Sequence, residues 1–135
     1  MSRALIVFAV AALAVGCKTP EDREPPPKPF VGTHWEVVLE VPLAGEQPNM
    51  RFGDGRVVGF AGCSKFTAPY LQDSVGAGAL VIRRISVDKR LCDFGAQAAE
   101  DHLLETLQAI QSYKILGDAM SMAGSGGLLK LRAVH

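Results

Sequence analysis

The alternation of apolar and polar positions divides most of the chain into short strands and one helix. Residues Trp35 to Val41 alternate in part and are rich in valine, which predicts a first strand ended by Pro42. Met50 to Phe52 and Arg56 to Phe60 flank Gly53-Asp54-Gly55 and predict a hairpin whose glycines supply positive φ. Phe66 to Leu71 predicts another strand, and Pro69 places it at an edge because proline has no N–H for a ladder. Gly76 to Gly78 turn the chain into Ala79 to Val87, the strongest strand pattern present. Its apolar phase changes at Arg83-Arg84, since Leu80 and Ile82 share one parity and Ile85 and Val87 the other. A bulge there would put both halves on one face. Tyr113 to Leu116, Ala119 to Met122 and Leu128 to Val134 predict three closing strands, separated by Gly117-Asp118 and by a glycine-rich turn at Gly124 to Gly127. In the last of them Leu129, Leu131 and Ala133 oppose Lys130 and Arg132.

One segment carries the helical period. From about residue 96 to 110, Leu103, Leu104, Leu107 and Ile110 recur at three- and four-residue steps. Glu100, Asp101, Glu105 and Gln108 are expected on the opposite, solvent side, with Glu100 and Asp101 towards the N-terminal half that the helix dipole favours.

The first 29 residues follow neither pattern. One Arg precedes an apolar run of 12 residues, Ala4 to Val15, too short against the roughly 20 residues a membrane-crossing helix needs. Ala14-Val15-Gly16-Cys17 then resembles the lipobox of bacterial lipoproteins, in which the cysteine receives diacylglycerol and becomes the first mature residue. Residues 1–16 are therefore read as a lipoprotein signal peptide and Cys17 as the lipidation site. Residues 18–29 hold five prolines and six charges and no large apolar side chain, so they are expected to form a tether. Fully extended, such a tether would hold a domain about 35 to 40 Å from the bilayer. Several acyl chains anchor stably where one does not, which a lipidated N-terminal cysteine satisfies. By resemblance to enterobacterial lipoproteins, Lys18 after the anchor favours an outer membrane facing the periplasm over the inner membrane.

The remaining 106 residues, 30–135, make one domain large enough for a single core. With ten Lys plus Arg and eleven Asp plus Glu, this span has no basic excess to mark a nucleic-acid surface. Lipidation of Cys17 would leave Cys63 and Cys92, an even pair in an oxidising compartment, which favours a disulfide over a metal or redox site. The alternatives are two buried thiols or a nucleophile with His34 or His102 as its base, and no activating motif surrounds either histidine. His34, Cys63, Cys92 and His102 lack the closely paired spacing of a zinc site, and neither glycine-rich turn joins a strand to a helix as a phosphate cradle does. His135 is terminal. No catalytic residue, metal or cofactor is assigned.

Gly55 to Phe66 (GRVVGFAGCSKF), Ile85 to Cys92 (ISVDKRLC), the leucine helix and Tyr113 to Asp118 (YKILGD) together resemble the META domain of the heat-shock protein HslJ family. The resemblance starts at Trp35, which matches the family's opening aromatic, and runs to Val134. Gly59, Gly62, Cys63, Phe66 and Cys92 match the motif positions, while Ser64 stands for the usual Asn, Asp88 for Thr and Leu91 for Met. The resemblance implies an α+β, mostly β fold: a strongly curved antiparallel sheet, a partial barrel of about seven or eight short strands, with one packed helix. It also implies an envelope lipoprotein connected with stress tolerance and without an established catalytic activity.

Arg83, Arg84, Lys89 and Arg90 are the candidate binding patch, suited to an acidic partner, with Asp88, Asp93, Glu100 and Asp101 near enough in sequence to neutralise it. Two function classes fit these observations. One is a noncatalytic envelope lipoprotein that binds a protein partner; the other is a small-ligand-binding or hydrolase-inhibitor module built on a curved sheet. A large internal cavity would favour the second, and a filled interior the first.

Overall fold

Nine short strands and one helix succeed one another through residues 11–17, 25–73 and 76–135, the parts of the chain that the computed structural model describes. Residues 1–10 of the predicted signal peptide and the tether residues 18–24 lie outside the described residues, and 11–17 have no regular secondary structure. The strands are β1 (His34–Val37), β2 (Asn49–Phe52), β3 (Arg56–Phe60), β4 (Lys65–Gln72), β5 (Ala77–Ile82), β6 (Ser86–Asp88), β7 (Ile110–Leu116), β8 (Ala119–Gly124) and β9 (Gly127–Val134), with α1 (Phe94–Gln108) between β6 and β7. They pair in the order β3-β2-β1-β9-β8-β7-β5-β4-β6, and β3 also pairs with β4, so the sheet closes on itself. Both β5 and β6 lie along the same side of β4 and share one position in the wall, which makes an eight-position antiparallel barrel with one helix. This is the mostly β, curved-sheet architecture expected from the sequence.

The phase change at Arg83-Arg84 is a bulge. Thr67 pairs with Ser86 and Tyr70 with Ile82, so Ala68 and Pro69 oppose the three residues Arg83, Arg84 and Ile85, and Arg84 takes a positive φ of 53°. The same register corrects the expectation that Pro69 marks an edge: β4 is paired on both sides. Tyr70 N–H points to β3, so the missing N–H of Pro69 faces the bulge, where the ladder is already broken, while its carbonyl accepts from Arg83 N–H at 3.1 Å.

Inward-facing side chains fill the barrel. Trp35, Met50, Phe52, Leu80, Ile82, Met120, Met122 and Leu131 are all buried, and Leu103 and Leu107 press onto them from α1. The antiparallel order fixes the two ends. At one lie α1, the loop 38–48, the turn 61–64, the segment 89–93 and the turn between β8 and β9. At the other lie the turn 53–55, Asp73, Gly76 and Gly117-Asp118.

Phe30 stops the second end, its ring 4.1 Å from Phe52, 4.9 Å from Tyr113 and 5.5 Å from Tyr70 between centroids. The chain before it lies along this base: Lys28 N–H donates to the Gly117 carbonyl at 2.7 Å. Gly117 and Gly76 make room for the proline rings, since a Cβ at Gly117 would stand 3.0 Å from Pro25 Cγ and one at Gly76 3.6 Å from Pro27 Cγ. The expected free spacer over all of 18–29 is thereby shortened, because stiff prolines lose little entropy on packing and two glycines accommodate them.

Helix α1 starts at Phe94, two residues earlier than the leucine pattern predicts, because Asp93 caps it by accepting Ala96 N–H at 2.9 Å. It ends before Ile110, which opens β7. Gly124 allows this tight exit, for a Cβ there would overlap the Ala109 carbonyl. Glu100, expected on the solvent face, is instead completely buried.

Candidate functional site

The helix end of the barrel carries an open groove of about 790 Å³ between the loop 38–48 and the first turns of α1. The loop is shaped by one side chain. Gln47 Oε1 accepts Leu43 N–H at 3.0 Å, and its Nε2 donates to the Leu43 and Gly45 carbonyls at 2.7 and 3.1 Å, so it closes its own turn. Leu39, Val41 and Leu43 face Cys92, Ala96 and Ala99 across the groove. Gly62, at φ +113°, lies beneath them, where a Cβ would stand 3.4 Å from Leu43 and 3.5 Å from the Ala96 carbonyl.

The opposite wall is held by a disulfide and a buried carboxylate. Cys63 and Cys92 are bonded, with Cα atoms 5.9 Å apart, Cys63 buried and Cys92 exposed. Next to them Glu100 accepts Ser64 N–H at 2.5 Å and Ser64 Oγ–H at 3.2 Å, and Lys89 Nζ stands 3.8 Å from the same carboxylate. Ser64 Oγ also accepts Arg90 N–H at 3.0 Å. The segment 88–93 is thus fixed at Arg90, Cys92 and Asp93, and between and beside these points Leu91 and Phe94 project into solvent, 100% and 90% exposed. They flank Cys92, Asp93 and Gly95, which line the groove, and Val41 on the facing loop is exposed as well. Exposed large apolar side chains gathered at one place mark interaction surfaces more often than isolated ones do.

The family-motif residues are structural in this arrangement. Trp35 is fully buried in β1 and donates its indole N–H to the Phe30 carbonyl at 3.4 Å. Gly59 pairs with Phe66 across the β3–β4 ladder, and a Cβ on it would come within 2.8 Å of the Phe66 ring that covers it. Cys17 is a free, exposed thiol.

The four cations of the candidate patch stand at two levels of the barrel. Arg83 and Arg84 belong to the bulge midway along the barrel wall beside Pro69, whereas Lys89 and Arg90 lie beyond β6 at the helix end, about 15 Å further along the strand. Lys89 faces Glu100 and Asp101, and Arg90 faces Asp88 at 3.7 Å, so acidic neighbours offset both.

Among the described residues no three His, Cys, Asp or Glu side chains come together as a metal site, and no helix is long and apolar enough to cross a membrane. His34 bonds to Asn49 Oδ1 at 3.0 Å and His102 is exposed on α1. The barrel interior is packed with side chains, and the groove lies outside it.

Sequence reasoning missed Leu91, Phe94, Val41 and Leu43 as a group. A signal for Phe94 was present: it precedes Leu103 by nine residues, which at 100° per residue puts it half a turn away from the leucine face. The grouping with Val41 and Leu43 had none, because it depends on where a long loop returns.

Comparison with known proteins agrees with this architecture. The META domain model matches residues 28–133. An NMR structure of a protein from Burkholderia xenovorans superposes with a TM-score of 0.61 at 16% identity, covering 87% of this chain and 98% of that one. A second NMR structure gives 0.61 at 15% identity, covering 87% and 96%. At such identities the likeness is one of fold alone. No curated protein matches the chain.

Proposed function

The chain belongs to the META domain family, and from that premise we propose that it is a noncatalytic binding module, anchored in the cell envelope through lipid on Cys17 and engaging another envelope protein through the groove at its helix end. The observation that carries this reading is an apolar groove walled on one side by the segment that bears Leu91 and Phe94, two almost fully exposed apolar side chains, the segment being fixed by the disulfide, the Ser64 bond and the Asp93 cap. Holding such side chains rigidly in water has no benefit to the folded domain alone, and pre-organisation lowers the entropy cost of association. The matching partner presents apolar side chains to Val41, Leu91 and Phe94. The small-ligand reading is the weaker one, since side chains occupy the barrel where a ligand would sit.

The anchor reading rests on the apolar leader, the small-residue junction and the exposed Cys17. Residues 25–28, in the last part of the expected tether, pack at the base of the barrel, and the groove opens at the opposite end, which supports this reading. A role in envelope stress tolerance, at an outer membrane facing the periplasm, completes the proposal.

The test is photo-crosslinking in intact cells from position 94, with position 54 at the base as control. A discrete adduct from position 94 only, lost on Val41→Asp with Leu91→Asp while the domain stays folded, is the expected result. Adducts that are equal at both positions, or indifferent to those substitutions, would remove the groove from the proposal.

A further inference from the structure

The outer face of β7, β8 and β9 carries a second feature, independent of the groove. Lys114 pairs with Ser121 and Ser121 with Lys130, so two lysines stand on either side of a serine in one row across three strands. In the next row Leu116, Ala119 and Arg132 are aligned in the same way. The central strand offers only small outward side chains and its neighbours long ones, which makes a trough of about 370 Å³ with Ala119 and Ser121 as its floor. The lysine backbones are two strand spacings apart, about 10 Å, so the two ammonium groups can converge above Ser121. Arg132 is engaged by Glu36 at 3.5 Å, and Asp118 lies at the rim in the turn. Neither Lys114 nor Lys130 has an ion-pair partner among the described residues. Leu116 and Val38, both exposed, line the trough.

We infer that this trough docks on the anionic phosphate headgroups of the membrane that holds Cys17, a conclusion that deepens the anchor reading and rests on it. Two observations select this occupant. The first is charge: two unpaired cations over a hydroxyl, bordered by exposed aliphatic side chains, match a phosphate lying above acyl chain. The second is reach. Pro25 is packed on Gly117, the turn between β7 and β8, so the chain arrives from the anchor at the end of the trough itself. Only the seven residues 18–24 separate Cys17 from Pro25, a span of at most about 29 Å. The trough runs along β8, six residues or about 20 Å, from that point. A domain clamped this close to its anchor has the β7–β9 face within touching distance of the headgroups, with the groove at the helix end still open to a partner.

Amine acetylation of the full mature chain isolated from cells tests this in vesicles of phosphatidylcholine alone and of phosphatidylcholine with phosphatidylglycerol, read by mass spectrometry at each lysine, with flotation to measure binding. The expected result is flotation with both vesicles and slowed acetylation of Lys114 and Lys130 in the anionic ones only, reversed by salt, with Lys65 and Lys89 at the helix end unchanged. Lys114→Gln should reduce the protection of Lys130 about fivefold. Flotation with both vesicles and equal reactivity at all four lysines overturns the trough and leaves the anchor standing. Flotation with anionic vesicles only, with Lys114 and Lys130 protected, upholds the trough and rejects the anchor. Flotation with neither rejects both.

Discussion

The Ser64 amide donates to the Glu100 carboxylate at 2.5 Å, joining the turn before β4 to the middle of α1 across 36 residues of sequence. Ser64 Oγ adds a second bond to the same carboxylate and takes the Arg90 N–H, so one serine ties together the turn, the helix and the segment that carries Leu91. Ser64 occupies the position where the family resemblance expects Asn, and its hydroxyl supplies both a donor and an acceptor.

Removal of that carboxylate should be costly. Glu100→Ala leaves the Ser64 N–H buried without a partner and is expected to destabilise the domain by about 2 to 4 kcal/mol. Ser64→Ala, which keeps the amide bond, should cost about 1 to 2 kcal/mol. Urea titration of both variants checks the order, and an equal loss would show that the amide bond is not the larger contribution.

The disulfide closes a loop with a sequence separation of 29 residues. Chain entropy assigns it about 3.5 kcal/mol, so the double variant Cys63→Ser, Cys92→Ser should shift the urea midpoint accordingly. Alkylation of the folded, unreduced protein should leave Cys63 and Cys92 unlabelled.

Phe30 fills the base of the barrel against three aromatic rings. Phe30→Ala should cost about 3 to 5 kcal/mol and loosen residues 25–29 as well. Hydrogen exchange at Lys28, whose N–H is bonded to Gly117, reports this directly: it should become fast in the variant and stay slow in the parent.

Tyr70 gives the stability a pH dependence at high pH. Burial raises its pKa above the ordinary 10.0, the charge of Asp54 adds to the rise, and a backbone hydrogen bond at Gly55 opposes it. The unfolded chain therefore releases this proton first, so the contribution is intact below pH 10.0 and is lost as pH rises through the folded value. Urea midpoints taken on either side of pH 10 should fall with pH in the parent, and less steeply in Tyr70→Phe. That variant also loses the hydroxyl bond to the Gly53 carbonyl and starts from lower stability.

Lipidation at Cys17 predicts acyl mass on an N-terminal peptide beginning at that residue. Cys17→Ser should accumulate as precursor or leave the membrane fraction. A mature, unmodified and soluble chain would reject the anchor.

Local pattern alone determined much of this protein. Strand alternation located the hairpin around Gly53 to Gly55, the closing strands and the inward set Leu129, Leu131 and Ala133; the broken phase at Arg83-Arg84 located the bulge; and the leucine period located the helix to within two residues of its start. Each of these depends on which face a residue presents within its own element, and periodicity records that directly. The two domain cysteines were legible as a pair because no others compete once Cys17 is set aside.

Only the tertiary structure decided what each face meets. Glu100 reads as a solvent residue by helical phase but is buried, because Ser64 offers it donors that no local pattern announces. Pro69 reads as an edge marker but sits inside the sheet, because the bulge on the facing strand removes the need for its N–H. Arg83 and Arg84 lie close to Lys89 and Arg90 in sequence, and only the bulge and β6 between them set the distance of about 15 Å along the wall. The groove and the Lys114–Lys130 trough depend on pairings between strands and on the return of a long loop, which close chain segments far apart in sequence. Alternation states only that a side chain faces in or out, and the energy of a contact depends on the partner that the closed barrel brings to it.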